Sequence, residues 1–399
     1  MIEPVETSIP EYDIFYKCYN FYLVLFSVIF FLMKIGFDIR PFLSSETGVG
    51  VYFKNLLHSM AELESDNSFY LFSSSFKERF PEELLPDFKN RKFRDLRIPV
   101  SILNFLWFRF RFPPMGYFFG TKLDLAHSPN PLITPGGKKK IVTVHDLSFI
   151  DSPDLVMEEA TKYFTPLIKN SLKKADGIIA VSEFTRSRIG EIFGKDLEDK
   201  TTVIYHGSDL DNVKERKPAF VIPGKYFLFT GTIEPRKNLT TLIKGFALAK
   251  QSINEAKLIL AGCKGKQTEE IRRLISILKL DSDVIFTGYL DRGELKYLYK
   301  NTSALVFPSH YEGFGLPVLE AASCGIPSIV SDIEVFREIF GNYPLYFDKS
   351  DPESLASLLT KIWSDKSLYN KKVKEALMLS TKFSWNKAAK ETLETYNSV

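Results

Sequence analysis

The amino-acid sequence predicts an α/β protein built from two Rossmann-like, doubly wound halves that face a central cleft. The chain has 399 residues, too long for one ordinary core and suited to two domains of about 150–200 residues each. Short apolar runs alternate with amphipathic helical stretches, which is the pattern of a parallel sheet covered by helices. A charged segment with two prolines, residues 211–224, divides this pattern into two similar series.

The first series of strands and helices begins at Met33. Its strand candidates are KIGFDI, FYLFSS, LDLAHSP, KKIVTVHD, GIIAVS and TTVIYHG. Apolar residues recur at helical spacing in VGVYFKNLLHSMAEL, and helices are also expected near residues 155–174 and 183–194. We therefore predict a first Rossmann-like domain over residues 33–215.

The second series predicts a similar domain over residues 220–382. Its strand candidates are YFLFTGT, KLILAG, DVIFTGYL, SALVFPS, PSIVSD and PLYFD. Helices are expected near residues 239–250, 269–280, 294–300, 317–323 and 333–340, and the stretch from residue 351 onward has a helical pattern throughout. Ligands of such sheets bind outside the carboxyl ends of the strands, so we expect the binding site in the cleft between the domains.

Composition argues against several classes of protein. The three cysteines, Cys18, Cys263 and Cys324, are odd in number and form no CxxC pair. Neither a disulfide framework nor a zinc site is indicated, and a reducing cytosol fits best. The net charge of +3 gives no reason to expect binding to nucleic acid.

The N-terminal residues 1–32 are hydrophobic and stand outside the α/β pattern. Between Lys17 and Lys34 there are 16 uncharged residues, just below the ~17–25 that a spanning helix needs. The leading residues are acidic and no small-residue cleavage site follows, which argues against a signal peptide. Because the first strand follows at once, we expect an extension outside the native fold. A helix lying on a membrane surface and a true span are the alternatives.

Two glutamates, Glu312 and Glu320, stand eight positions apart around a glycine-rich turn in SHYEGFGLPVLEAASCG. A helix is expected to start near Pro317, because proline is favoured at the first helical position. Backbone N–H groups in such a loop can bind a phosphate without a charged side chain. Glu320 can then accept both ribose hydroxyls of a nucleotide, and Glu312 can accept hydroxyls of an attached sugar. The alternative for Glu320 is a first-turn acid favoured by the helix dipole.

Two adjacent cations, Arg236 and Lys237, stand in the segment GTIEPRKN, just before a helix expected to start near Asn238. Cations at a helix N-terminus oppose the macrodipole unless an anion bridges them, so a bound pyrophosphate makes sense of the pair. A solvated basic pair is the alternative.

Weaker signals come from three further stretches. His145 and Asp146 follow the strand of TVHDLSF, where His145 is expected to point into the cleft and to hydrogen-bond the transferred group. ETGVGVYFKN opens a helix with Gly48 and Gly50 but lacks the third glycine of the dinucleotide fingerprint. The triplets DLD and DSD, at 209–211 and 281–283, lie in turn-rich sequence, and we interpret them as turns rather than metal ligands.

Taken together, these stretches resemble the glycosyltransferases of the GT-B fold, specifically the large retaining family 4. The resemblance covers essentially Met33 to the end, and its most specific feature is the E-x7-E unit with its GFG loop and PVLEA continuation. Within the family, VHDL together with GTIEPRKN is most similar to mannosyltransferases that build bacterial surface polysaccharide.

The resemblance implies a role for each site residue. The implied catalytic set is Glu312, His145, Arg236 and Lys237, and the implied donor-binding set is Glu320, Gly313, Phe314, Gly315, Leu316, Gly48, Gly50, Gly231 and Thr232. Glu320 would bind the ribose, while Lys237 and Arg236 would neutralise the leaving diphosphate. The C-terminal helix, residues 383–399, would cross back to the first domain.

The resemblance also implies the reaction and its partners. Transfer would proceed with retention, without a metal or cofactor, and the leaving phosphate would take the acceptor's proton. The co-substrate would be a nucleotide sugar, GDP-mannose, and the acceptor a glycan or a lipid-linked saccharide. We expect a cytoplasmic protein that associates with the inner face of the cell membrane and does not bind nucleic acid.

Two positions depart from the family pattern. An arginine commonly follows the glycine of the strand-end turn, where this chain has Thr232, and Arg236 can supply that cation from the next turn. The pattern TGxGR is frequent, whereas Val51 follows Gly50 here, which weakens the expectation of a phosphate or acceptor contact.

An aromatic stretch in the first domain, residues 104–119, leaves two interpretations open. NFLWFRFRFPPMGYFF mixes Arg109 and Arg111 with many aromatic residues, and the preceding KNRKFRDLR is basic. Such a composition suits a membrane surface that carries a lipid-linked acceptor. Alternatively, the aromatic side chains pack beneath the first domain.

Two other functions are compatible with the same fold. A nucleotide-sugar epimerase needs acid and base residues around C2 of the sugar, and the PRKN and HDL stretches fit transfer better. A non-catalytic sugar-nucleotide-binding scaffold of a polysaccharide assembly complex is the other alternative. The intact site residues argue against a scaffold, while Thr232 and Val51 leave it some room.

Overall fold

The computed structural model describes residues 32–44, 48–152, 158–220 and 224–399. Within these residues the strands form a seven-stranded sheet, in the order β3-β2-β1-β4-β5-β6-β7, and a six-stranded sheet, in the order β10-β9-β8-β11-β12-β13. Neighbouring strands pair in parallel in both sheets. The predicted architecture of two doubly wound α/β halves is therefore confirmed.

The strands of both sheets are short, and the central ones are buried almost throughout. The first sheet contains β1 (Lys34–Asp38), β2 (Ser68–Ser74), β3 (Arg91–Leu96), β4 (Leu123–Ser128), β5 (Gly137–Val144), β6 (Gly177–Ala180) and β7 (Thr201–Val203). The second contains β8 (Tyr226–Thr230), β9 (Lys257–Ala261), β10 (Val284–Gly288), β11 (Ala304–Phe307), β12 (Ser328–Ser331) and β13 (Leu345–Phe347). Because helices cover both faces, these strands consist of continuous apolar runs rather than alternating ones.

The α-helices alternate with the strands and supply the covering layers. In the first half they are α1 (Gly48–Glu62), α2 (Val100–Phe105), α3 (Ser148–Asp151), α4 (Glu158–Lys174), α5 (Glu183–Phe193) and α6 (Lys195–Asp199). From residue 224 onward they are α7 (Leu239–Ala249), α8 (Thr268–Ile277), α9 (Arg292–Asn301), α10 (Leu316–Ser323), α11 (Glu334–Phe340), α12 (Pro352–Ser364), α13 (Lys366–Ser380) and α14 (Trp385–Ser398).

The structure corrects three details of the sequence interpretation. The basic stretch around residues 91–96 is an edge strand, β3, and its charged residues concealed the strand pattern. The C-terminal stretch is not helical throughout, since Asp365 and Ser384 each cap the start of a new helix. Helix α10 begins at Leu316, one residue before the expected start. The interpretation of the hydrophobic N-terminus concerns residues that lie outside the described ranges, apart from Leu32.

The last helix, α14, packs on the first half of the protein rather than on the second. Trp385 and Tyr396 are buried in the same apolar cluster as Phe53 and Leu56 of α1. The hydroxyl of Tyr396 lies 2.6 Å from Nδ1 of His127, a residue at the carboxyl end of β4. The chain therefore returns from the second half to the first through α14.

The aromatic stretch at residues 104–119 is partly packed beneath the first domain and partly exposed, so it fits each of the two interpretations in part. Trp107 and Met115 are fully buried in a satellite core. Four aromatic side chains of the stretch remain more than half exposed: Phe105, Phe110, Phe112 and Tyr117. Among the described residues, no helix combines the length and the apolar character that a bilayer span requires.

Candidate active site

A cavity of about 410 Å³ lies in the cleft between the two halves, at the carboxyl ends of their strands. All but one of the sequence-predicted site residues line it. These are Glu312, His145, Arg236, Lys237, Glu320, Gly313, Phe314, Gly315, Leu316, Gly48, Gly231 and Thr232. The exception, Gly50, is buried inside α1 and is not part of the cavity wall. Val51, at the departure from the family pattern, does line the cavity.

Glu312 and the two predicted cations form a compact ion cluster in this cavity. Lys237 donates from Nζ to Oε1 of Glu312 at 2.6 Å, and Arg236 donates from Nη1 to Oε2 at 2.9 Å. The three side chains are each at least four-fifths buried. Arg236 also donates to the backbone oxygen of Tyr311 at 3.0 Å, which anchors the glycine loop to the PRK turn. The anion that bridges the cations in this structure is thus a carboxylate of the chain itself.

The ion cluster sets the protonation of its members. Burial alone would raise the pKa of the Glu312 carboxyl, but the charges of Arg236 and Lys237 outweigh it and hold that pKa at about 2. Burial lowers the pKa of the Lys237 amine, and the Glu312 charge opposes that effect. Burial likewise acts against the charge of Arg236, yet Glu312 raises its pKa above the ordinary value. At neutral pH Glu312 and Arg236 are therefore ionised.

At the glycine loop that follows β11 the two halves approach each other closely. Ser182, at the start of α5, donates its hydroxyl to the backbone oxygen of Gly313 at 2.7 Å. A side chain at position 313 would overlap the backbone oxygen of His145, so only glycine permits this approach. Gly315 has a φ of +105°, a conformation that glycine adopts without strain, and it directly precedes the first residue of α10.

His145 is held as a neutral imidazole at the end of β5. Its Nε2 lies 2.9 Å from the backbone oxygen of Pro129. A carbonyl oxygen only accepts hydrogen bonds, so Nε2 carries the proton and Nδ1 keeps a free lone pair. Burial lowers the pKa of His145, an effect that the bond to Pro129 only partly opposes. The ring can therefore accept a hydrogen bond from a hydroxyl in the cavity.

A second buried layer of polar side chains lies behind His145. His127 contacts the hydroxyl of Thr143 through Nε2 at 2.9 Å, and that hydroxyl also lies 3.2 Å from the hydroxyl of Tyr52. The ring of Tyr52 packs edge-on against His145, with 4.7 Å between ring centroids. Together with the bond from His127 to Tyr396, these contacts run from α14 to the cavity wall.

His206, which the sequence interpretation did not select, belongs to the same wall. It is buried in the segment that links the two sheets and lines the cavity. Its ring lies 4.8 Å from the ring of Tyr52 and 4.7 Å from that of Phe314. Burial lowers the pKa of His206 well below its ordinary value, so the ring is uncharged at neutral pH. The sequence signal that could have found it is a histidine before the glycine of the YHG turn, three positions after the end of β7.

Glu320 is buried in α10 and is held by two side chains that the sequence interpretation also missed. The guanidinium of Arg292 donates to Oε1, and the hydroxyl of Tyr299 donates to Oε2 at 3.1 Å. Arg292 also pairs with Asp209. The DLD triplet is therefore more than a turn, since its first aspartate pairs with a residue of the cavity wall. Arg292 stands at the start of a helix after the strand-end segment GYL, the same kind of position that drew attention to Arg236.

Further contacts hold the halves together beside the cavity. Tyr311 donates its hydroxyl to Asp151 of α3 at 2.9 Å. Glu338 of α11 accepts from the backbone nitrogens of Glu183 and Phe184, at the first turn of α5, at 2.8 Å each. A carboxylate at a helix N-terminus is stabilised by the unpaired N–H groups and the helix dipole. The second half thus caps a helix of the first.

These features define a class of protein. The glycine loop and the start of α10 can hold a phosphate, while Arg236 and Lys237 can neutralise it. Glu320, Glu312 and His145 place further hydrogen-bond acceptors in the cavity wall. Two Rossmann-like halves that face such a cleft are the architecture of the GT-B glycosyltransferases.

Comparisons of sequence support this classification. The family described as Glycosyltransferase Family 4 matches residues 47–212, and the one described as Glycosyl transferases group 1 matches residues 196–377. The chain is 28% identical over 382 residues to O-antigen chain mannosyltransferase B of Escherichia coli, covering 91% of this chain and 99% of that one. It is 32% identical over 249 residues to O-antigen chain mannosyltransferase RfbU of Salmonella typhimurium, covering 61% and 66%.

Comparisons of structure support the fold. Sucrose-phosphate synthase of Thermosynechococcus elongatus has a TM-score of 0.72 at 19% identity, covering 92% of this chain and 98% of that one. HepE of Anabaena, in complex with UDP-glucose, has a TM-score of 0.68 at 18% identity, covering 92% and 100%. Together the two family matches span residues 47–377, so the chain carries the domains of glycosyltransferase family 4 and glycosyltransferase group 1, and its fold is the GT-B fold.

Proposed function

We propose that the protein is a retaining mannosyltransferase, which transfers mannose from GDP-mannose to a glycan or lipid-linked acceptor of a surface polysaccharide. The observation that carries the proposal is the ion cluster of Glu312, Arg236 and Lys237 beside the glycine loop. The choice of mannose and of the acceptor class is supported by two relatives, both named as O-antigen chain mannosyltransferases.

The ion cluster suits the departure of a diphosphate. Two cations and the N–H groups around Gly315 would stabilise the charge that develops on the leaving phosphate as the bond to the sugar breaks. The two cations can serve in place of a metal ion. They are already positioned by Glu312, so little reorganisation is required when the donor binds.

Retention of configuration requires that the acceptor attacks from the face that the diphosphate leaves. The leaving phosphate oxygen would then take the acceptor's proton, and no separate base is required. His145, being neutral with a free lone pair on Nδ1, would orient the sugar through a hydroxyl rather than act on the acceptor.

The test of the proposal is a thermal-shift screen against GDP-mannose, UDP-glucose and ADP-glucose, followed by product analysis with the stabilising donor. We expect stabilisation by GDP-mannose that Lys237→Ala abolishes, and an α-linked mannosyl product. A lack of response to every nucleotide sugar would contradict the proposal. A donor that binds but is neither transferred nor cleaved would favour the scaffold, and a donor converted to its C2 epimer would favour the epimerase.

We further propose that the first half associates with the inner face of the membrane, where a lipid-linked acceptor would be found. The supporting observation is the group of exposed aromatic side chains, Phe105, Phe110, Phe112 and Tyr117, with the exposed Arg109 and Arg111 between them. Aromatic and cationic side chains together favour an interface with anionic lipid.

A further inference from the structure

Arg292 connects three parts of the molecule. It is the first residue of α9, at the carboxyl end of β10, and it lines the cavity. One of its terminal nitrogens donates to Glu320 and the other to Asp209. Glu320 lies in α10 of the second half, whereas Asp209 lies in the linker, the segment between β7 and β8 that joins the two sheets. A single guanidinium therefore joins the cavity to the linker.

We propose that Arg292, held by Asp209, is a positioning residue that orients the Glu320 carboxylate for binding the ribose of the donor. This inference rests on the proposed function, in which Glu320 accepts the ribose hydroxyls. Arg292 acts through Glu320 and does not itself contact the nucleotide.

The hydrogen-bond capacity of Glu320 supports this assignment. A carboxylate has two oxygens with about four acceptor sites in all. Arg292 uses one site on Oε1, and Tyr299 uses one on Oε2 at 3.1 Å. Tyr299 is itself fixed, because its hydroxyl lies 3.0 Å from that of Thr230. One acceptor site remains on each oxygen, which matches the two adjacent hydroxyls of a ribose.

The buried negative charge of Glu320 also requires a cationic partner. The residue is only 7% exposed, and a buried carboxylate without a cation is strongly unfavourable. Arg292 supplies the cation, and Asp209 provides the second anion that keeps the planar guanidinium in one orientation. A lysine could also pair with both carboxylates, but its compact ammonium lacks the planar fork that fixes the orientation of each partner.

The linker holds α9 at several points besides Arg292. Lys296 of α9 donates to the backbone oxygens of Asp211 and Val213, at 2.6 and 2.7 Å. Arg216 donates its backbone nitrogen to Gly293 at 3.1 Å, and its side chain pairs with Glu294 at 3.4 Å. The helix that carries Arg292 is thus fastened to the linker, so a movement of the linker would be transmitted to the ribose-binding carboxylate.

The experiment measures the dependence of binding on a ribose hydroxyl. The dissociation constants of GDP and 2′-deoxy-GDP are determined by calorimetry for the wild type and for Arg292→Met, Asp209→Asn and Arg216→Met. Arg216→Met is the matched control, because it also removes an ion pair between the linker and α9, while Arg216 lies outside the cavity wall. Urea unfolding of each variant checks that it is folded.

We expect the wild type to prefer GDP by about tenfold, as one hydrogen bond to a charged acceptor allows. Arg292→Met should weaken GDP binding about tenfold and leave 2′-deoxy-GDP unchanged, so that the preference disappears. Asp209→Asn should reduce the preference in the same direction, by about threefold. Arg216→Met should keep it. If Arg292→Met does not fold, Asp209→Asn decides the question.

Other results would overturn the inference in distinct ways. A preference retained in Arg292→Met and Asp209→Asn means that Arg292 does not position Glu320. An equal loss for both nucleotides means that Arg292 contacts the nucleotide or supports the fold only. If the wild type binds GDP and 2′-deoxy-GDP equally well, Glu320 does not bind the ribose 2′-hydroxyl, while the proposed mannosyl transfer is unaffected. A wild type that binds no nucleoside diphosphate refutes the proposed function as well.

Discussion

Lys237 Nζ lies 2.6 Å from Oε1 of Glu312, although the two residues come from loops that follow different strands of the second sheet. Arg236 occupies the other carboxylate oxygen, so one acid is shared by two cations in a buried cluster. A donor diphosphate would enter a site in which the positive charge is already concentrated and oriented.

Removing the lysine should slow the transfer step as well as weaken donor binding. For Lys237→Met we expect the transfer rate to fall at least about 100-fold, because one group that stabilises developing charge contributes a factor of about 10²–10³. Steady-state kinetics with varied donor measure this. Lys257→Met is the control, since Lys257 also pairs with a carboxylate, Asp283, at 2.8 Å but lies outside the cavity wall. A transfer rate for Lys237→Met within tenfold of the wild type would contradict the role.

Replacing Gly313 by alanine should abolish transfer without unfolding the protein. The added methyl group would overlap the backbone oxygen of His145 and displace the glycine loop from the first half. A displacement of about 1 Å in a catalytic arrangement can cost about 100-fold in rate. The rate and the urea midpoint are measured together. Gly341→Ala is the control, because its φ of +52° makes alanine strained there while its added methyl meets no neighbouring atom. Normal activity of Gly313→Ala would show that this close approach is dispensable.

The buried histidines should make the protein less stable as the pH falls. Burial lowers the pKa of His127 from 6.5 to about 3. Between these values the unfolded chain binds a proton that the folded chain does not, so the free energy of unfolding decreases with decreasing pH. The slope approaches about 1.4 kcal/mol per pH unit for one such group.

Urea unfolding at a series of pH values tests this dependence with His127→Gln, whose amide can still bond to Tyr396 and Thr143. His145 and His206 shift in the same direction and remain in both proteins, so the difference between the slopes isolates His127. We expect the variant's slope below pH 6.5 to be smaller by about 1.4 kcal/mol per pH unit. Equal slopes would mean that His127 is not held neutral by the fold.

The exposed aromatic group should mediate binding to anionic vesicles. For the double variant Phe110→Ser, Phe112→Ser we expect at least about tenfold weaker binding, because burial of two aromatic rings contributes a few kcal/mol. Arg109→Gln with Arg111→Gln should weaken binding to anionic vesicles and reduce its salt dependence. Co-sedimentation measures both. Ile277→Ser is the control, since Ile277 is 75% exposed in the second half. Unchanged vesicle binding of both double variants would refute the proposed membrane association.

Much of the cavity wall was predictable because its residues stand directly after buried strands. The segments after β8 and β11 carry Arg236, Lys237 and Glu312, and the parallel order brings those strand ends together. That a pyrophosphate binds between the two cations stays a prediction, whereas the bridge that Glu312 makes between them was not foreseen. That contact joins positions 75 apart, and no local pattern encodes it.

The residues that support the site were harder to predict. Arg292 and Tyr299 lie on one face of α9, and an arginine and a tyrosine on an amphipathic helix ordinarily suggest a solvated face. Only the packing of α9 against α10 and the linker turns that face toward Glu320. Strand β3 was missed for a related reason, since an edge strand can carry charge on its exposed positions.

The alternation of strands and helices, and the placement of glycines, cations and acids at strand ends, follow from local patterns of hydrophobicity and charge. The partners of those residues follow from tertiary structure alone, because they depend on which strand ends are neighbours and on where distant segments pack. The bond between Tyr396 and His127 spans 269 positions, and it exists because α14 returns to the first half to bury Trp385 and Tyr396 against α1. Burial of apolar surface drives that return, and burial then determines which polar groups must find partners.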